Sequence, residues 1–560
     1  KFVINLRNNN TVIVAFFTAS RPISTRELRG YLYKKLPLYC IPNFFIQLDD
    51  FKLTPNGKID QKYLDTLEVD IKNNFVAPQT SLQRKLVSIW EKVLNISHIG
   101  IDDNFFSIGG DSLAAISIQT EALKYEIDIS YSDIFDFPTV RLLSEKKEIS
   151  RSCKNFSDYD YSAINRLLST NAIENICEEN NSPISPSSNI LLLGSTGFLG
   201  SHILDKYLSN TNGIAYCLVR NKLSTNYLQR LKSTLNFYFG NKYDSYIGNR
   251  IKVVYGDIVK KDLGLDEKLY NTIGNSISAV INSAALVKHF GEVEKFQNIN
   301  VKGTQNIIEF CKAFNVKLYH ISTISVYGTD TLTPTTEEID RPIYKETDFN
   351  INQKLNNIYI STKYEAEKII YEEISTGLKA CVLRIGNIFN RFSDYKFQIN
   401  PSDNALLNRI KSIIKLGVID DNFSKHSLDF TPVDDCAEAI VKIFINNPNF
   451  TVFHLINPYF ISFKIIISVL CSSGHTVKFV PAQEFSKKIN TFLSNSSLKS
   501  DISGLIPDID KSKILNIIPL PLPSVDFTVK YLSSIGFNWS KVDDNYVLNC
   551  LYYFMNIGFI

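Results

Sequence analysis

The stretch Asn189-Ile-Leu-Leu-Leu-Gly-Ser-Thr-Gly-Phe-Leu-Gly200 decides how the larger part of this chain folds. Its apolar run Ile190–Leu193 is typical of a buried strand in a parallel sheet, and a helix is predicted after the last glycine. Gly194, Gly197 and Gly200 permit a tight turn and a close approach of the backbone to a pyrophosphate at the helix start. Glycines also serve tight turns for steric reasons alone, but this placement between strand and helix favours dinucleotide binding.

Short apolar runs continue to alternate with predicted helices from residue 189 onward. The runs are Ile190–Leu193, Ala215–Val219, Ile251–Val254, Ala279–Ile281, Lys317–Ile321 and Ala380–Leu383. This alternation predicts a doubly wound parallel α/β sheet of the Rossmann type. The residues expected to contact the cofactor at the first turn are Gly194, Thr196, Gly197, Phe198, Leu199 and Gly200.

The ends of the next two strands indicate which dinucleotide is bound. Arg220 follows the second strand, where an acidic residue would bind the ribose of NAD and an arginine accommodates the 2′-phosphate of NADP. Arg230 is a candidate second cation, although a solvated surface charge is nearly as good an interpretation. Asp257 and Ile258 follow the third strand and are expected beside the adenine. The predicted cofactor is therefore NADP(H).

A tyrosine and a lysine four residues apart are the candidate catalytic pair. Tyr359 and Lys363 would share one helix face. A nearby ammonium is expected to lower the pKa of the phenol and so make it a useful acid–base group. Thr323, at the end of the Lys317 strand, would supply a hydroxyl that stabilises an oxyanion. An amphipathic helix face alone could give the same spacing.

These motifs together resemble the extended short-chain dehydrogenase/reductase family. Further matching pieces are Asn282-Ser-Ala-Ala285, Asn300-Val-Lys-Gly-Thr304, Leu383-Arg-Ile-Gly-Asn387 and Asp429-Phe-Thr-Pro-Val-Asp-Asp435. Within that family the chain is most similar to the thioester reductase domains of nonribosomal peptide synthetases, polyketide synthases and carboxylic acid reductases. The resemblance covers most of 189–460 and departs from many relatives at Ile385, where they have proline. It implies a reductase domain over 188–560, in which 460–560 would bind substrate.

A second motif, Asp103-Asn-Phe-Phe-Ser-Ile-Gly-Gly-Asp-Ser-Leu113, precedes this region. Two glycines expose a turn and Ser112 opens a predicted helix, where a phosphodiester would be favoured by the helix dipole. An isolated Asp-Ser is often only a helix cap. The whole string, after an amphipathic helix over 81–94, resembles a peptidyl carrier protein over 79–150 within a small helical bundle. The resemblance implies that Ser112 carries 4′-phosphopantetheine, attached by a phosphopantetheinyl transferase.

Residues 1–70 form a different, small α+β pattern. Strand-like runs lie at Val12–Phe17 and Phe44–Leu48, with a predicted helix over Ser24–Leu36 between them. Leu53-Thr-Pro-Asn-Gly-Lys58-Ile-Asp60 resembles the C-terminal subdomain of adenylate-forming enzymes, in which a turn lysine contacts carboxylate and phosphate. Lys58 matches that lysine, or it is simply a solvated turn residue. The larger ATP-binding subdomain does not precede it here, and 151–187 is predicted to be a linker.

Composition restricts the classes of function. The chain has 560 residues and a net charge of +3, which gives no reason to expect a nucleic-acid or anionic-membrane partner. Nine cysteines without paired spacing argue against a disulfide framework or a metal site and favour the reducing cytoplasm. We find no apolar run long enough to span a bilayer. The first residue is Lys1, and we expect the chain to begin inside a longer product with upstream adenylation or synthase domains.

The resulting hypothesis is reductive release of an acyl or peptidyl group held as a thioester on the carrier, giving an aldehyde and in some cases an alcohol. Two alternatives stay open at this point. One is an extended-family epimerase or dehydratase acting on sugar nucleotides, which would not need a fused carrier. The other is a non-catalytic fragment with a scaffold role, which would not need Thr323, Tyr359 and Lys363.

Overall fold

The computed structural model of this chain describes most of the reductase-like region and parts of the region before it. The described residues are 2–7, 12–19, 23, 28, 42, 44–52, 54, 59–66, 75–105, 108–110, 112–123, 125, 127, 129, 133–134, 137–145, 159–178, 183–221, 226–287, 293–328, 343–355, 357–494, 498–502, 504–505 and 522–560. They fall into two compact units, Lys1–Asn155 and Phe156–Ile560.

The smaller unit begins with a three-stranded sheet. Its strands are β1 (Phe2–Arg7), β2 (Val12–Phe17) and β3 (Phe44–Gln47), and α1 spans Gln61–Thr66. β2 pairs antiparallel with β1 and parallel with β3. Val14 and Phe16 point to one face of β2, because side chains alternate along a strand, and they pack with Phe51 and Leu64. The two predicted strands are confirmed, whereas nearly all of the predicted helix over 24–36 lies outside the described residues.

Two longer helices lie in the part of the smaller unit that the structure describes after residue 75. Helix α2 (Ser81–Leu94) has the predicted bounds, and α3 spans Ser112–Leu123. Thr80 and Gln83 form a capping box at the start of α2, which satisfies backbone N–H groups that a helix start leaves without partners. The apolar face of α2 is buried, and the Trp90 ring lies 5.2 Å from that of Phe105. The helical character predicted for this stretch is therefore confirmed.

A seven-stranded parallel sheet forms the centre of the larger unit. Its strands are β4 (Asn189–Leu193), β5 (Ala215–Val219), β6 (Ile251–Tyr255), β7 (Ile277–Asn282), β8 (Lys317–Thr323), β10 (Ala380–Ile385) and β15 (Val452–Leu455). Their order in the sheet is β15-β10-β8-β7-β4-β5-β6, and each neighbouring pair is parallel. The order reverses at β4, so the crevice at the carboxyl ends of β4 and β7 is the topological switch point where such sheets bind ligands.

Helices cover both faces of this sheet. The helices that the structure describes in the larger unit are α4 (Ser162–Leu168), α5 (Phe198–Asn210), α6 (Tyr227–Phe239), α7 (Glu267–Ser276), α8 (Val293–Phe296), α9 (Gly303–Phe314), α10 (Ile358–Ser375), α11 (Ala405–Leu416), α12 (Val433–Asn446), α13 (Phe463–Ser472), α14 (Ala482–Ser494), α15 (Asp526–Ser534) and α16 (Asp544–Asn556). Short strand pairs join β9 (Ile343–Tyr344) to β18 (Leu522–Pro523), β11 (Ile388–Phe389) to β14 (Thr431–Pro432), β12 (Val418–Asp420) to β17 (Lys478–Val480), and β13 (Ser427–Leu428) to β16 (Ile461–Ser462).

Two apolar cores lie on opposite faces of the sheet. Ile190 and Leu192 of β4 point into one core with α5 and α12, and Leu191 and Leu193 point into the other with α9 and α10. This burial on both sides explains why β4 is apolar throughout rather than alternating. The predicted doubly wound α/β architecture is confirmed. None of the helices that the structure describes has both the length and the apolar character needed to cross a lipid bilayer.

Residues 159–178 and 183–187 belong to the larger unit. Ile164 and Leu168 of α4 are buried in the core beside β4, and the Asn171 amide donates to the Val452 carbonyl at 2.6 Å. The Thr451 N–H in turn donates to the Asn171 side-chain oxygen at 3.0 Å. This differs from the linker predicted over 151–187. Because the segment is rich in Ser, Asn and Glu, its few buried apolar side chains do not stand out in the sequence.

Candidate active site and cofactor cleft

The glycine turn between β4 and α5 leaves room for a ligand. Gly194 has φ +84°, and a Cβ on Gly200 would lie 2.2 Å from the Gly194 carbonyl oxygen. Gly197, by contrast, has only that oxygen near its Cβ position, at 3.2 Å. No described side chain caps the start of α5 at Gly197, although Asn226 and Asp266 cap α6 and α7. The turn therefore presents helix N–H groups at the switch point, which fits a dinucleotide pyrophosphate.

The two predicted arginines lie together at the end of β5. The Arg230 guanidinium donates to the Arg220 carbonyl at 3.2 Å, and Arg220 itself is exposed. Burial, together with the like charge of Arg220, lowers the pKa of Arg230. Among the described residues, no carboxylate forms an ion pair with either guanidinium. Two cations held side by side in this way fit an anionic group such as a phosphate.

The predicted adenine side is an ordered turn after β6. Asp257 accepts a hydrogen bond from the Val259 N–H at 3.1 Å, and its own N–H donates to the Leu263 carbonyl. Asn306 of α9 donates to the carbonyls of Ile258 and Lys260, at 2.7 and 3.1 Å. The turn is thus fixed before any ligand arrives. Thr196, Phe198 and Leu199 lie between Gly194 and Gly200 in the chain, and their contacts with a cofactor stay a prediction.

Thr323 and Tyr359 meet although they are distant in the sequence. Thr323 ends β8 and is buried, and Tyr359 lies in the first turn of α10, whose start is capped by Asn357. The Thr323 hydroxyl lies close enough to the Tyr359 phenol to lower the pKa of that phenol. The structure therefore brings a phenol and an alcohol to one point at the carboxyl end of the sheet. Both can donate to the same oxygen of a bound carbonyl group.

Lys363 lies one helical turn after Tyr359 and is buried. Its Nζ donates to the Ile321 carbonyl at 2.7 Å and lies 3.0 Å from His320 Nε2. The other ring nitrogen of His320 is 3.2 Å from the Asn282 amide. Burial and the Lys363 charge hold the pKa of His320 well below its ordinary value, so the imidazole is neutral. Lys363 is consequently fixed by β8 as well as by its own helix.

The pKa shift of Tyr359 differs from the expectation. Burial raises the pKa of Tyr359 to about 12, and the Thr323 hydroxyl beside it only partly opposes that rise. Burial lowers the pKa of Lys363 to about 8, although Glu367 opposes that change. The sequence predicts that Lys363 lowers the pKa of Tyr359, whereas in the structure the pKa of Tyr359 is raised above its ordinary value. The reason is that the ammonium is directed to Ile321 and His320, while the phenol loses water contact.

A buried charged cluster lies behind this trio. Arg384 of β10 and Glu367 of α10 are both fully buried and form an ion pair at 3.0 Å. Arg384 also donates to the hydroxyls of Tyr327 and Tyr371, at 2.6 and 3.2 Å. Tyr327 belongs to the 3-10 turn that follows Thr323. The cluster therefore connects the two segments that bring Thr323 and Tyr359 together.

A π-helix over Gln297–Lys302 holds the loop that follows β7. Asn300 in this helix accepts from the Leu286 N–H at 2.8 Å and donates to the Leu286 carbonyl and to Thr362 of α10, at 3.2 and 3.1 Å. This irregular turn thus joins the cofactor side of the cleft to the helix with Tyr359. The sequence marks Asn300, Asn282 and Arg384 only as parts of the family resemblance. It gives no signal for His320, Glu367 or their contacts.

The described residues of the carrier motif have the predicted backbone. Gly109 has φ +103°, and a Cβ on Gly110 would lie 2.5 Å from the Phe105 ring, so both positions require glycine. Helix α3 then begins at Ser112. Lys58 lies outside the described residues. Within the described residues, no cluster of three or more metal-ligating side chains occurs.

Two family models match this chain. Residues 84–146 match the phosphopantetheine attachment site, and residues 192–440 match the NAD-binding family described as male sterility protein. The chain therefore combines a phosphopantetheine carrier with an NAD(P)-binding reductase domain, and both cofactor types predicted from the sequence are supported.

Similar proteins identify the family more closely. A solved thiolation–reductase di-domain from an archaeal nonribosomal peptide synthetase has 32% sequence identity and a TM-score of 0.74, over 87% of this chain and all of that one. The chain belongs to this thiolation–reductase family of nonribosomal peptide synthetases. A linear gramicidin synthase of Brevibacillus parabrevis is 28% identical over 86% of this chain, and an L-2-aminoadipate reductase of Candida glabrata is 28% identical over 83%. The chain spans 9% and 36% of the length of these two curated relatives.

Proposed function

We propose that this chain reductively releases an acyl or peptidyl group that its carrier holds as a thioester. The observation that carries the proposal is the placement of the Thr323 hydroxyl beside the Tyr359 phenol, with Lys363 fixed one helical turn away, at the switch point of a dinucleotide-binding sheet. Such a site can protonate a carbonyl oxygen while its carbon receives a hydride. The fused carrier, over 79–150 in our proposal, would present a thioester to that site.

The residues of the cleft have separate roles in this proposal. NADPH supplies the hydride when it is bound. The glycine turn from Gly194 to Gly200 would hold its pyrophosphate, Asp257 and Ile258 its adenine, and Arg220 with Arg230 its 2′-phosphate. Lys363 would hold the nicotinamide ribose and contribute positive charge near Tyr359. The open side of Gly197 supports the pyrophosphate assignment, and the two adjacent cations at the end of β5 support the 2′-phosphate assignment.

Thr323 and Tyr359 would act on the substrate. Their hydroxyls would donate to the thioester oxygen, on which negative charge grows as the carbon is reduced. Because burial raises the pKa of Tyr359 to about 12, the phenol is protonated at neutral pH and ready to serve as the acid. Tyr359 transfers its proton to that oxygen, and the carbon–sulfur bond then breaks to give an aldehyde and a thiol. A second reduction would convert the aldehyde to an alcohol.

The remaining regions complete the proposal. Ser112 would be modified by a phosphopantetheinyl transferase, and 188–560 would form the reductase, preceded by the packed segment from Tyr159. Residues 1–70, with Lys58, would be the end of an adenylate-forming domain that belongs to a longer chain. Six of the cysteines that the structure describes are free thiols, which supports a cytoplasmic location. We propose neither a nucleic-acid nor a membrane partner.

The comparisons favour this proposal over the two alternatives. A sugar-nucleotide epimerase has no use for a carrier, and residues 84–146 match one. A non-catalytic scaffold has no need for a buried lysine beside a phenol, because burying an amine without function lowers stability. The second alternative is the one that an activity measurement addresses directly.

Product analysis of the loaded full chain tests the proposal. Ser112 would be loaded with an acyl-phosphopantetheine group, NADPH or NADH added, and the released compound identified by mass spectrometry. We expect an aldehyde or alcohol with NADPH, together with equimolar NADPH oxidation per reduction step. Release of the free acid, or no release with either coenzyme, would contradict reductive release.

Replacing both arginines should change the coenzyme preference. Arg220→Ala/Arg230→Ala should weaken NADPH binding about 100-fold, because two charge-assisted hydrogen bonds to the 2′-phosphate are lost. NADH binding should change by less than about threefold, since NADH lacks that phosphate. Lys232→Ala removes a cation of α6 that pairs with Asp244 at 3.4 Å, and should affect neither coenzyme. Equal weakening of NADH and NADPH would contradict the assignment.

A further inference from the structure

Helix α10 carries four polar side chains at four-residue intervals. Tyr359, Lys363, Glu367 and Tyr371 therefore lie along one face of the helix. Lys363, Glu367 and Tyr371 are buried, and the Tyr371 hydroxyl donates to Glu367 Oε2 at 2.8 Å. A carboxylate thus lies one turn beyond the lysine of the proposed site, on the side away from Tyr359. The proposed roles of Tyr359 and Lys363 make no use of Glu367.

Glu367 is fixed in place by its surroundings. Arg384 donates to Glu367 Oε2 through Nε and Nη2, each at 3.0 Å, and the pair is inaccessible to solvent. Burial disfavours a charged guanidinium, but Glu367, Tyr327 and Tyr371 more than offset it and raise the pKa of Arg384 well above its ordinary value. Arg384 in addition donates to the Asp348 carbonyl at 2.9 Å. These contacts with Arg384 therefore fix the position of the Glu367 carboxylate.

Lys363 has few other sources of stabilising charge. Among the residues that the structure describes, the titratable groups around it are neutral His320 from β8, Tyr359 and Glu367 from its own helix and, beyond Glu367, Arg384 from β10. Its direct partners, the Ile321 carbonyl and His320, carry no net negative charge. Glu367 is the acidic group among them, and it favours the ammonium form of Lys363, which burial opposes.

We propose that Glu367 is a positioning residue of the reductase site: locked by Arg384, its carboxylate keeps the buried Lys363 protonated. This inference rests on the proposed function for its catalytic consequence. Lys363 needs its proton to donate to the ribose of the coenzyme and to lend charge to the Tyr359 side of the cleft. Because the ion pair with Arg384 fixes it, the Glu367 carboxylate holds a negative charge one helical turn from the ammonium. The direct contacts of Lys363 Nζ go to Ile321 and His320.

The sign of the pH effect follows from this arrangement. The ammonium form is favoured below the pKa of Lys363, which is about 8, and is lost as the pH rises above it. Removing the negative charge of Glu367 takes away a stabilising partner and leaves Arg384 as a nearby like charge. The pKa of Lys363 then falls further. As the pH rises, a variant without the carboxylate should therefore lose the steps that need the ammonium at a lower pH than the wild type does.

The test uses the full chain with Glu367→Gln and two readouts between about pH 6 and about pH 9.5, a range that brackets the titration of Lys363. We expect the alkaline limb of kcat/KM to move about one pH unit lower than in the wild type. The pH dependence of NADP⁺ binding, measured by calorimetry, should shift in the same direction. Glu373→Gln is the matched control, because Glu373 is on the same helix and pairs with Lys312 at the surface, at 2.6 Å. It should leave both profiles unchanged.

A second variant guards against loss of folding. Glu367→Gln/Arg384→Met removes both buried charges together, which is better tolerated than leaving one unpaired. It should shift both profiles in the same direction by a smaller amount. Unchanged alkaline limbs in a folded variant would overturn the role of Glu367. A wild type that binds NADP⁺ but reduces no thioester would contradict the proposed function, while the binding profile would still decide the role of Glu367.

Discussion

Tyr359→Phe should reduce the rate of aldehyde release about 10³-fold while leaving the fold and the binding of NADPH intact. The substitution removes one oxygen from a partly buried ring, so it leaves no cavity and no uncompensated charge. Thr323 loses the phenolic hydroxyl that now lies beside it. The thioester oxygen would keep one donor but lose its acid, and charge would build on it without a proton to neutralise it. Single-turnover kinetics with the loaded carrier, followed through NADPH fluorescence, would measure the loss.

The comparison for this variant is a tyrosine elsewhere in the same unit. Tyr552 lies on α16 and is 44% exposed, and Tyr552→Phe should retain the wild-type rate. Thr323→Ala should lose less than Tyr359→Phe, because it removes a donor and not the acid. A Tyr359→Phe protein with near wild-type turnover would show that the proton comes from another group and would remove the central element of the proposed mechanism.

Ser112→Ala should abolish release of carrier-bound acyl groups completely. The alanine side chain has no oxygen to which a phosphodiester can attach, so the carrier stays unloaded. The two glycines before it and helix α3 would be unaffected, since alanine is tolerated at a helix start. Mass spectrometry of the intact chain after treatment with a phosphopantetheinyl transferase and coenzyme A should show no added mass.

A soluble substrate separates loading from reduction in this experiment. An acyl thioester of free pantetheine should be reduced at the same rate by Ser112→Ala and by the wild type, because the reductase cleft is unchanged. Ser97→Ala, at an exposed position of the same unit, should load and release normally. Loading that persists in Ser112→Ala would place the attachment point at another residue.

The sheet could be predicted because its signals are local. A strand buried on both faces is a continuous apolar run, and the glycine turn lies directly between β4 and α5. β15 was not predicted, because His454 interrupts its apolar run with a polar side chain. That histidine is buried and lies 2.8 Å from the Tyr327 hydroxyl, which is a tertiary contact. Local pattern does not report a polar residue whose partner comes from another element.

In the candidate site, too, some features could be predicted from local sequence and others depend on tertiary packing. Spacing on one helix predicts that Tyr359 and Lys363 lie together, and strand order predicts that Thr323 ends near them. Whether Lys363 would be bonded to His320, and Glu367 to Arg384, depends on the distance between β8, α10 and β10 after packing. The direction of the Tyr359 pKa shift also depends on packing, because burial, and not the neighbouring ammonium, dominates it.

The contacts of Asn171 determine where this protein can be shortened for separate study of its reductase. β15 is an edge strand, and the Asn171 amide pairs with the carbonyl and the N–H at its start as a further strand would. A polypeptide that began at residue 188 would expose that edge and the apolar surface that Ile164 and Leu168 now cover. Both exposures favour self-association. A shortened protein that contains only the reductase should therefore begin before Tyr159, well before the glycine turn.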